Sequence, residues 1–335
     1  MPSSRRTDGG APPFFVVGND RSGTTLLRLV LDRSDEAAVP PESMFLLDFA
    51  HVRRRGGLED PDRAAQLVED VWNHPRVRLW KLAGDPPPVP AGLGHAEAYR
   101  FAVEAPFLAY AERDGKARFG DKTPAYLYAV DELLEVWPEA RVVVLVRDAR
   151  DVALSIAKLP FGPNNSYAAA RWWSRGIRAG LEAQRRHPGH VLTVRFEDLV
   201  TDPEAEVRRV CEHVGLGYNS DMLAIERSGP SKVLAEQAPW FAGLRGPISA
   251  AESGRWRTEM PEGDKRVIAG VAGAELRRLG YEVGEGASVP RRRALAYTAQ
   301  DAALRALNAF RLRILQERGR ELRLVVRRKL AGARR

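Results

Sequence analysis

The chain is poor in cysteine and lacks long apolar runs. Its 335 residues include one cysteine, Cys211, so no disulfide can form within the chain. No stretch reaches the length of about 18 consecutive apolar residues that a membrane-spanning helix needs. The first residues, MPSSRRTDGGAPP, lack the apolar core of a secretory signal. Together these absences predict a cytoplasmic protein without disulfides.

Positive charge is concentrated at the C-terminal end. The whole chain carries a net charge of +8, yet residues 290–335 alone hold fourteen Arg or Lys against three Asp or Glu, roughly +11. Apolar residues recur there near helical spacing, which predicts a basic amphipathic helix. Such a helix could pack on its own domain, meet a second subunit in a homo-oligomer, or lie on an anionic membrane. No recognition motif for nucleic acid accompanies the charge. We therefore divide the chain into a disordered leader (1–13), a globular domain (14–285) and a helical tail (286–335).

Three short apolar runs predict buried β-strands, namely Phe14–Val17, Val142–Val146 and Val191–Val194. Helical patterns separate them, beginning with residues 24–32, and a GDPPPVP segment (84–90) marks a loop in an otherwise helical middle. Apolar strands that alternate with helices are typical of a parallel sheet covered on both faces. The sequence therefore predicts a three-layer α/β fold of the P-loop type with a C-terminal helical extension.

The first predicted strand runs into a loop with two glycines, GNDRSGTT (18–25). A strand, a tight loop and a helix N-terminus point backbone N–H groups at one spot, which makes an anion site. A Walker loop carries a lysine after its second glycine, where this chain has Thr24. Arg21 supplies a cation earlier in the loop, and a guanidinium suits forked hydrogen bonds to an oxyanion. The other candidate donors are Ser22, Gly23 and Thr25. The alternative is a plain glycine turn with a solvated arginine.

A second motif, VVVLVRDARDVALS (142–155), places an arginine at the end of a buried strand. Ser155 follows Arg147 by eight residues, about two helical turns into the next predicted helix. The two side chains could therefore converge on one phosphate. The alternative is a solvated cluster of the neighbouring Arg and Asp residues that caps the helix.

The stretch GNDRSGTTLLRLVLD resembles the 5′-phosphosulfate loop of the sulfotransferases that use 3′-phosphoadenosine-5′-phosphosulfate (PAPS). It is most similar to the tyrosylprotein branch and its bacterial relatives. The resemblance implies a sulfuryl donor bound without the Walker lysine and without a required metal. It also implies that Arg147 and Ser155 bind the 3′-phosphate of the donor. SGRWR (253–257) resembles the family segment that folds over the nucleotide, which assigns Arg255 and Trp256 to donor binding, with ordinary surface positions as the alternative.

The same resemblance suggests which groups perform the transfer. Glu42, in VPPESMFLLDF, matches the position of the catalytic base in the tyrosylprotein relatives, although a glutamate here could simply begin a helix. The family's arginine two residues later is Met44 in this chain, which argues against an acidic peptide as acceptor. FGDKTPAYL (119–127) resembles the EKTPAY segment of heparan and related sulfotransferases. We therefore expect Lys122, assisted by Arg21, to stabilise the bridging oxygen.

Two further positions follow from the resemblance less directly. Asp121 stands where the EKTPAY segment has glutamate, so its carboxylate has a shorter reach. Ser228, within IERSGPSK, resembles a serine near the leaving group, and Ser231 competes with it for that role. A charged turn before a proline is the alternative interpretation of Lys122.

These motifs predict an enzyme that moves a sulfuryl group from PAPS to a hydroxyl or amine by in-line transfer. Two alternatives stay open: a P-loop phosphotransferase that uses a nucleotide, and a basic non-catalytic adaptor that binds a membrane or a partner. The acceptor is unspecified, and small molecules, glycans, lipids and peptides are all compatible with the sequence. We expect no nucleic-acid partner. We expect a cytoplasmic protein, and its tail could also contact a membrane surface.

Overall fold

A parallel sheet of five strands forms the centre of the fold in the computed structural model, which describes residues 11–157, 159, 162–227 and 246–308. The strands lie in the order β2-β3-β1-β4-β5, and every neighbouring pair is parallel. Their bounds are Phe14–Gly18 (β1), Ala37–Ala38 (β2), Arg118–Lys122 (β3), Arg141–Val146 (β4) and Val191–Arg195 (β5). The strand order reverses around β1, and in open α/β sheets ligands bind outside the carboxyl ends of the strands at such a point.

Twelve numbered helices lie between and after the strands in the described residues. They are Thr24–Asp32 (α1), Phe45–Arg55 (α2), Pro61–Trp72 (α3), Pro75–Arg78 (α4), His95–Arg113 (α5), Val130–Val136 (α6), Ala149–Ile156 (α7), Ser166–Arg186 (α8), Phe196–Thr201 (α9), Pro203–Val214 (α10), Trp256–Glu259 (α11) and Glu262–Arg278 (α12). Short 3₁₀ turns span Pro124–Tyr128, Ser220–Leu223, Ile225–Arg227 and Ala250–Glu252. One more helix runs over residues 291–308. None of the described helices is long and apolar enough to cross a membrane.

The predicted α/β fold with a parallel sheet is confirmed, and so are the strands at Phe14, Val142 and Val191. The strand Arg118–Lys122 was missed, because the sequence RFGDK carries charged residues at three of five positions. All five residues are nevertheless buried, because β1 pairs with this strand and α5 packs against it. The last residue of this strand is Lys122, the cation predicted for the candidate site.

The alternation of side chains along β1 divides the core into two clusters. Phe14 and Val16 belong to a hydrophobic cluster with Leu27 of α1 and Val143 of β4. Phe15 points to the opposite face and contacts Trp137 with ring centroids 5.2 Å apart. Aromatic rings continue from there, and they include Phe119, Phe107, Trp80 and Phe45. Both faces of the sheet are therefore packed, as a parallel sheet requires.

The chain divides into two compact units. The first comprises the described residues up to Arg147 together with Gly176–Ser253, and it contains the whole sheet. The second comprises Asp148–Arg175 and the described residues from Gly254 onward. Within the second unit, the helix over 291–308 contacts the start of α8 through stacked Tyr167 and Tyr297 rings, and Asn164 N–H donates to Asp301 Oδ1 at 2.7 Å. The helix predicted for the tail is thus present over its first 18 residues, and the rest lies outside the described residues.

Candidate active site

The loop after β1 is built around two positions with positive φ. Arg21 has φ 68° and Gly23 has φ 93°, and Gly23 is the N-cap of α1. A side chain at Gly23 would put its Cβ 2.3 Å from Phe196 Cδ2, so only glycine fits there without a shift. Helix α1 begins without a side-chain cap. Its positive end is therefore available to an anion rather than to a capping carboxylate or hydroxyl.

Hydroxyl groups line the beginning of α1. Ser22, Thr24 and Thr25 are all buried. The Ser22 Oγ has no hydrogen-bond partner among the atoms that the structure describes. A buried hydroxyl without a partner loses free energy, so its position in an uncapped loop indicates a ligand that accepts its hydrogen bond. The predicted anion-binding residues are thus held together on one turn.

Two arginines converge on this loop. Arg147, directly after β4, is buried, and its Nη1 donates to the Arg21 carbonyl at 3.1 Å. Its Nη2 donates to the Glu252 carbonyl, and its guanidinium lies 4.6 Å from the centre of the Phe196 ring. Burial and the neighbouring Arg147 charge lower the pKa of Arg21. Two cations that repel each other beside a helix N-terminus favour an anion at this place.

Glu42 and Lys122 meet at the carboxyl end of β3. Lys122 Nζ lies 2.5 Å from Glu42 Oε1 and 3.2 Å from Thr25 Oγ1, and the lysine side chain is 2% exposed. Burial lowers the pKa of Lys122, and the Glu42 charge opposes that shift. Burial would raise the pKa of Glu42, but the charge and hydrogen bond of Lys122 hold it below its usual value. The interpretation of Lys122 as part of a charged turn is therefore wrong, because Lys122 is the buried last residue of a strand.

Glu42 does not begin a helix, since α2 starts at Phe45 with Met44 as its N-cap. The carboxylate is instead surrounded by charges that sequence reasoning missed. Arg28 and Arg76 both act electrostatically on Glu42, and Glu42 acts on Asp20 in the loop. These residues come from separate parts of the chain, and no spacing in the sequence relates them.

The segment around α4 is anchored beside Glu42. Trp80 Nε1 donates to the Pro41 carbonyl at 2.9 Å, and His74 Nε2 lies 3.1 Å from Asp48 Oδ2 on α2. Between these anchors Arg76 is half-buried, and in the part of the chain that the structure describes its guanidinium makes no hydrogen bond or ion pair. The structure thus brings an arginine near Glu42 from α4, although Met44 stands where the tyrosylprotein relatives were expected to carry an arginine.

Three of the remaining predicted donor-binding residues, Ser155, Arg255 and Trp256, belong to the second compact unit. Asp151, on α7, accepts hydrogen bonds from Gly254 N–H at 2.6 Å and Trp256 N–H at 2.9 Å. Arg255 forms a two-pronged pair with Glu259, at 2.7 and 2.8 Å. Ser155 is half-buried on α7. Their assignment to donor binding stays a prediction, and Ser228 lies outside the described residues.

The Arg and Asp residues after β4 form a structural cluster, but it is not solvated. Asp148 is the N-cap of α7 and accepts from Arg150 N–H, Nε and Nη2 at 2.8, 2.8 and 2.6 Å. Both residues are buried, and Arg150 lies 3.4 Å above the Trp256 ring. The capping role that was an alternative for this motif therefore belongs to Asp148 and Arg150, and it leaves Arg147 to the loop after β1.

Comparison with known proteins places this geometry in context. A family model described as "Sulfotransferase family" matches residues 12–220. The nodulation protein NoeE of Sinorhizobium fredii is 25% identical over 304 residues, which cover 80% of this chain and 65% of NoeE. This chain thus spans just under two thirds of that relative. Protein-tyrosine sulfotransferase A of Caenorhabditis elegans is 24% identical over 291 residues, covering 84% of this chain and 71% of the relative.

A solved structure shows the same fold. The sulfotransferase domain of the Synechococcus PCC 7002 olefin synthase superposes with a TM-score of 0.55 at 24% sequence identity. The superposition covers 84% of this chain and 99% of that domain. The sheet, the loop after its central strand and the helices around them are therefore an arrangement that other chains share.

Proposed function

The chain belongs to the sulfotransferase family, and on this basis we propose that it transfers a sulfuryl group from PAPS to a hydroxyl or amine of an acceptor. The observation that carries the proposal is one contact. Lys122 Nζ bridges the Glu42 carboxylate, at 2.5 Å, and the Thr25 hydroxyl on the first turn of α1, at 3.2 Å. A candidate base, a candidate cation and an anion-binding loop therefore meet at one point.

The loop after β1 fits the phosphosulfate end of such a donor. The uncapped N-terminus of α1 offers backbone N–H groups, and the buried Ser22 hydroxyl needs an acceptor. Arg21 and Arg147 add two positive charges next to the same turn. The donor supplies a sulfur atom whose bond to a phosphate oxygen breaks during the reaction. We assign the binding of this group to Arg21, Ser22, Gly23, Thr24 and Thr25.

Glu42 and Lys122 supply the acid–base and charge chemistry of the transfer. Glu42 accepts the proton that the acceptor hydroxyl loses as its oxygen bonds to sulfur. Its lowered pKa keeps Glu42 ionised, and hence able to accept a proton, at neutral pH. Lys122 balances the negative charge that develops on the phosphate oxygen when its bond to sulfur breaks, and burial strengthens this effect. Preorganised charges and the positioning of the reactants should account for most of the rate acceleration, as they do in phosphoryl transfer.

Turnover of ³⁵S-labelled PAPS, followed as transfer to a panel of acceptors and as release of the product nucleotide, tests the proposal. Glu42→Gln should lower kcat by roughly 10²- to 10⁴-fold, the usual effect of losing a general base. Lys122→Met should lower it by roughly 10²- to 10³-fold. The matched control is the exposed pair of Glu182 and Arg185 on α8, which lie 2.7 Å apart. Glu182→Gln and Arg185→Met should leave turnover unchanged.

Two results would contradict the proposal. One is equal turnover in the wild type, Glu42→Gln and Lys122→Met. The other is transfer of label from γ-³²P-ATP with magnesium but not from PAPS, which would indicate a phosphotransferase on the same loop.

A further inference from the structure

The segment that carries Glu42 touches β3 at two adjacent positions. Glu42 contacts Lys122, and the next residue, Ser43, contacts the preceding strand residue, Asp121. Neighbouring side chains on a strand point to opposite faces of the sheet, so Lys122 and Asp121 engage the segment from opposite sides. The Glu42–Lys122 contact is therefore accompanied by a second attachment, between Ser43 and Asp121, on the opposite face of the strand.

Hydrogen bonds make this second attachment directional. Ser43 Oγ donates its one proton to Asp121 Oδ2 at 2.9 Å. The Tyr126 hydroxyl, which accepts from Leu46 N–H at 3.0 Å, therefore donates to Ser43 Oγ, 2.8 Å away. Thr123 Oγ1 accepts from Ser43 N–H at 3.1 Å and donates to Asp121 Oδ1 at 3.3 Å. Every proton in the network runs towards Asp121, which is the arrangement that an ionised carboxylate requires.

Burial isolates the network from water. Ser43, Asp121, Thr123 and Tyr126 are fully buried. Burial raises the pKa of Asp121 to about 7, against the opposing effect of the Ser43 and Thr123 hydrogen bonds. Burial likewise raises the pKa of Tyr126 well above its usual value, so that hydroxyl stays protonated. Among these side chains, Asp121 is thus the one that changes charge near neutral pH.

We propose that Asp121 is a positioning residue that acts through Ser43 to hold Glu42 against Lys122. The proposal rests on the function proposed above, in which Glu42 is the base. It makes Asp121, Ser43 and Tyr126 a latch (the name used below for these three side chains). The latch fixes the position of the Glu42 carboxylate, and none of its three side chains contacts the substrate.

Protonation of Asp121 opposes the latch. A protonated Asp121 must donate a hydrogen bond, yet the Ser43 and Thr123 hydroxyls already point their protons at it. Donation from a protonated Asp121 to Ser43 Oγ would turn the Ser43 proton to Thr123 Oγ1, 3.3 Å away, and would replace charge-assisted hydrogen bonds with weaker neutral ones. Glu42 should therefore be held more loosely below about pH 7. The other charged groups that act on the two carboxyls are Lys122, Arg28, Arg76 and Asp20.

Carbon-13 NMR titration of labelled glutamate carboxyls tests the latch without an acceptor, with the Glu42 resonance assigned by its loss in Glu42→Gln. In the wild type the Glu42 resonance should shift with an inflection near pH 7, because Glu42 moves against Lys122 as Asp121 ionises. Ser43→Ala keeps the Asp121 carboxyl but breaks its link to the segment that carries Glu42, so the inflection should be lost there as well as in Asp121→Asn. A full inflection in Ser43→Ala would mean that the Asp121 charge acts on Glu42 through space without moving it. Ser174→Ala, which removes a buried hydroxyl that has no hydrogen-bond partner among the described residues, is the control and should keep the inflection.

A kinetic measurement separates positioning from general damage. In the wild type, kcat for PAPS turnover should fall as the pH drops through about 7. In Asp121→Asn this limb should be absent, with kcat roughly 10- to 10²-fold lower at pH 8 and affinity for the product nucleotide within about twofold of wild type. Loss of nucleotide binding by the wild-type protein would overturn the proposed function but not the latch. The absence of an inflection of the Glu42 resonance near pH 7 in the wild type, a full inflection in Ser43→Ala, or its loss in Ser174→Ala would overturn the latch.

Discussion

A methyl group at Gly23 should damage both the stability of the loop and its affinity for nucleotide. Gly23 has φ 93°, a conformation that costs a residue with a side chain about 1–2 kcal/mol. An added Cβ would lie 2.3 Å from Phe196 Cδ2 and 2.8 Å from Cε2. Phe196 is buried, so its displacement should cost a further 1–3 kcal/mol or so. The free energy of unfolding of Gly23→Ala should therefore fall by about 2–5 kcal/mol.

The effect should extend to the ligand because Phe196 lies under Arg147. The Arg147 guanidinium is 4.6 Å from the Phe196 ring centre and donates to the carbonyl of Arg21 in the same loop. Moving the ring shifts the arginine that we assign to the donor. Gly23→Ala should therefore weaken binding of 3′-phosphoadenosine-5′-phosphate (PAP), the desulfated donor, by roughly tenfold or more.

Gly115 offers a matched control for this experiment. It has φ 70°, and a Cβ there would meet nothing within 4 Å. Gly115→Ala should therefore show the backbone penalty alone, about 1–2 kcal/mol, and normal PAP binding. Urea unfolding and calorimetry measure both quantities on the same samples. If the two variants lose equal stability and both bind PAP normally, the contact between the loop and Phe196 has no role in the site.

Three further predictions concern the charges around Glu42. Glu42→Gln leaves the buried Lys122 ammonium without its counter-ion and should lower the free energy of unfolding by about 3 kcal/mol. The double variant Glu42→Gln/Lys122→Met should recover part of that loss. Equal losses in the single and double variants, measured by urea unfolding, would contradict this. Because the folded pKa of Asp121 is about 7 against 3.8 for an unperturbed group, its contribution to stability is present below pH 3.8 and is lost as the pH rises through 7. Between pH 4.5 and 8 the wild type should therefore lose about 3 kcal/mol relative to Asp121→Asn, whereas a constant difference across that range would exclude the shift. Arg76→Ala should raise the pKa of Glu42 in the NMR titration, because it removes a positive charge that acts on Glu42. Arg78, whose guanidinium donates to Asn73 at 3.1 Å, is the control, and Arg78→Ala should leave that pKa unchanged. Identical titrations of the two variants would show that Arg76 does not act on Glu42.

Three of the five strands could be predicted from the sequence because they are apolar runs of four or more residues, whereas β2 has only two residues. Phe14, Val142 and Val191 begin runs that only a buried strand explains, and all three runs form strands. The strand that ends at Lys122 could not be found in this way, because its Arg, Asp and Lys residues are buried by pairing rather than by hydrophobicity. Arg118, for example, donates hydrogen bonds to the carbonyls of Pro12, Val214 and Gly215. Such partners are distant in sequence and leave no periodic signal.

The candidate site shows the same limit. Residues 18–25 form a local motif, so the anion site at α1 could be predicted from a single segment. Glu42 and Lys122 were paired only through resemblance to a family, since 80 residues separate them. Arg76, Phe196 and the Ser43–Asp121 attachment were not predicted. Their roles depend on how the connections return to the carboxyl edge of the sheet, which is a property of the packed fold.

Calorimetric titration of PAP into the metal-free protein tests the central claim most directly. The variant is Arg147→Ala. Its matched control is Arg141→Ala, because Arg141 begins the strand β4 whose far end Arg147 follows. The wild type and Arg141→Ala should bind PAP alike, and Arg147→Ala should bind at least about tenfold more weakly, the value of a charge-assisted hydrogen bond. A well-folded wild type that does not bind PAP, or equal binding by Arg147→Ala, would contradict the account.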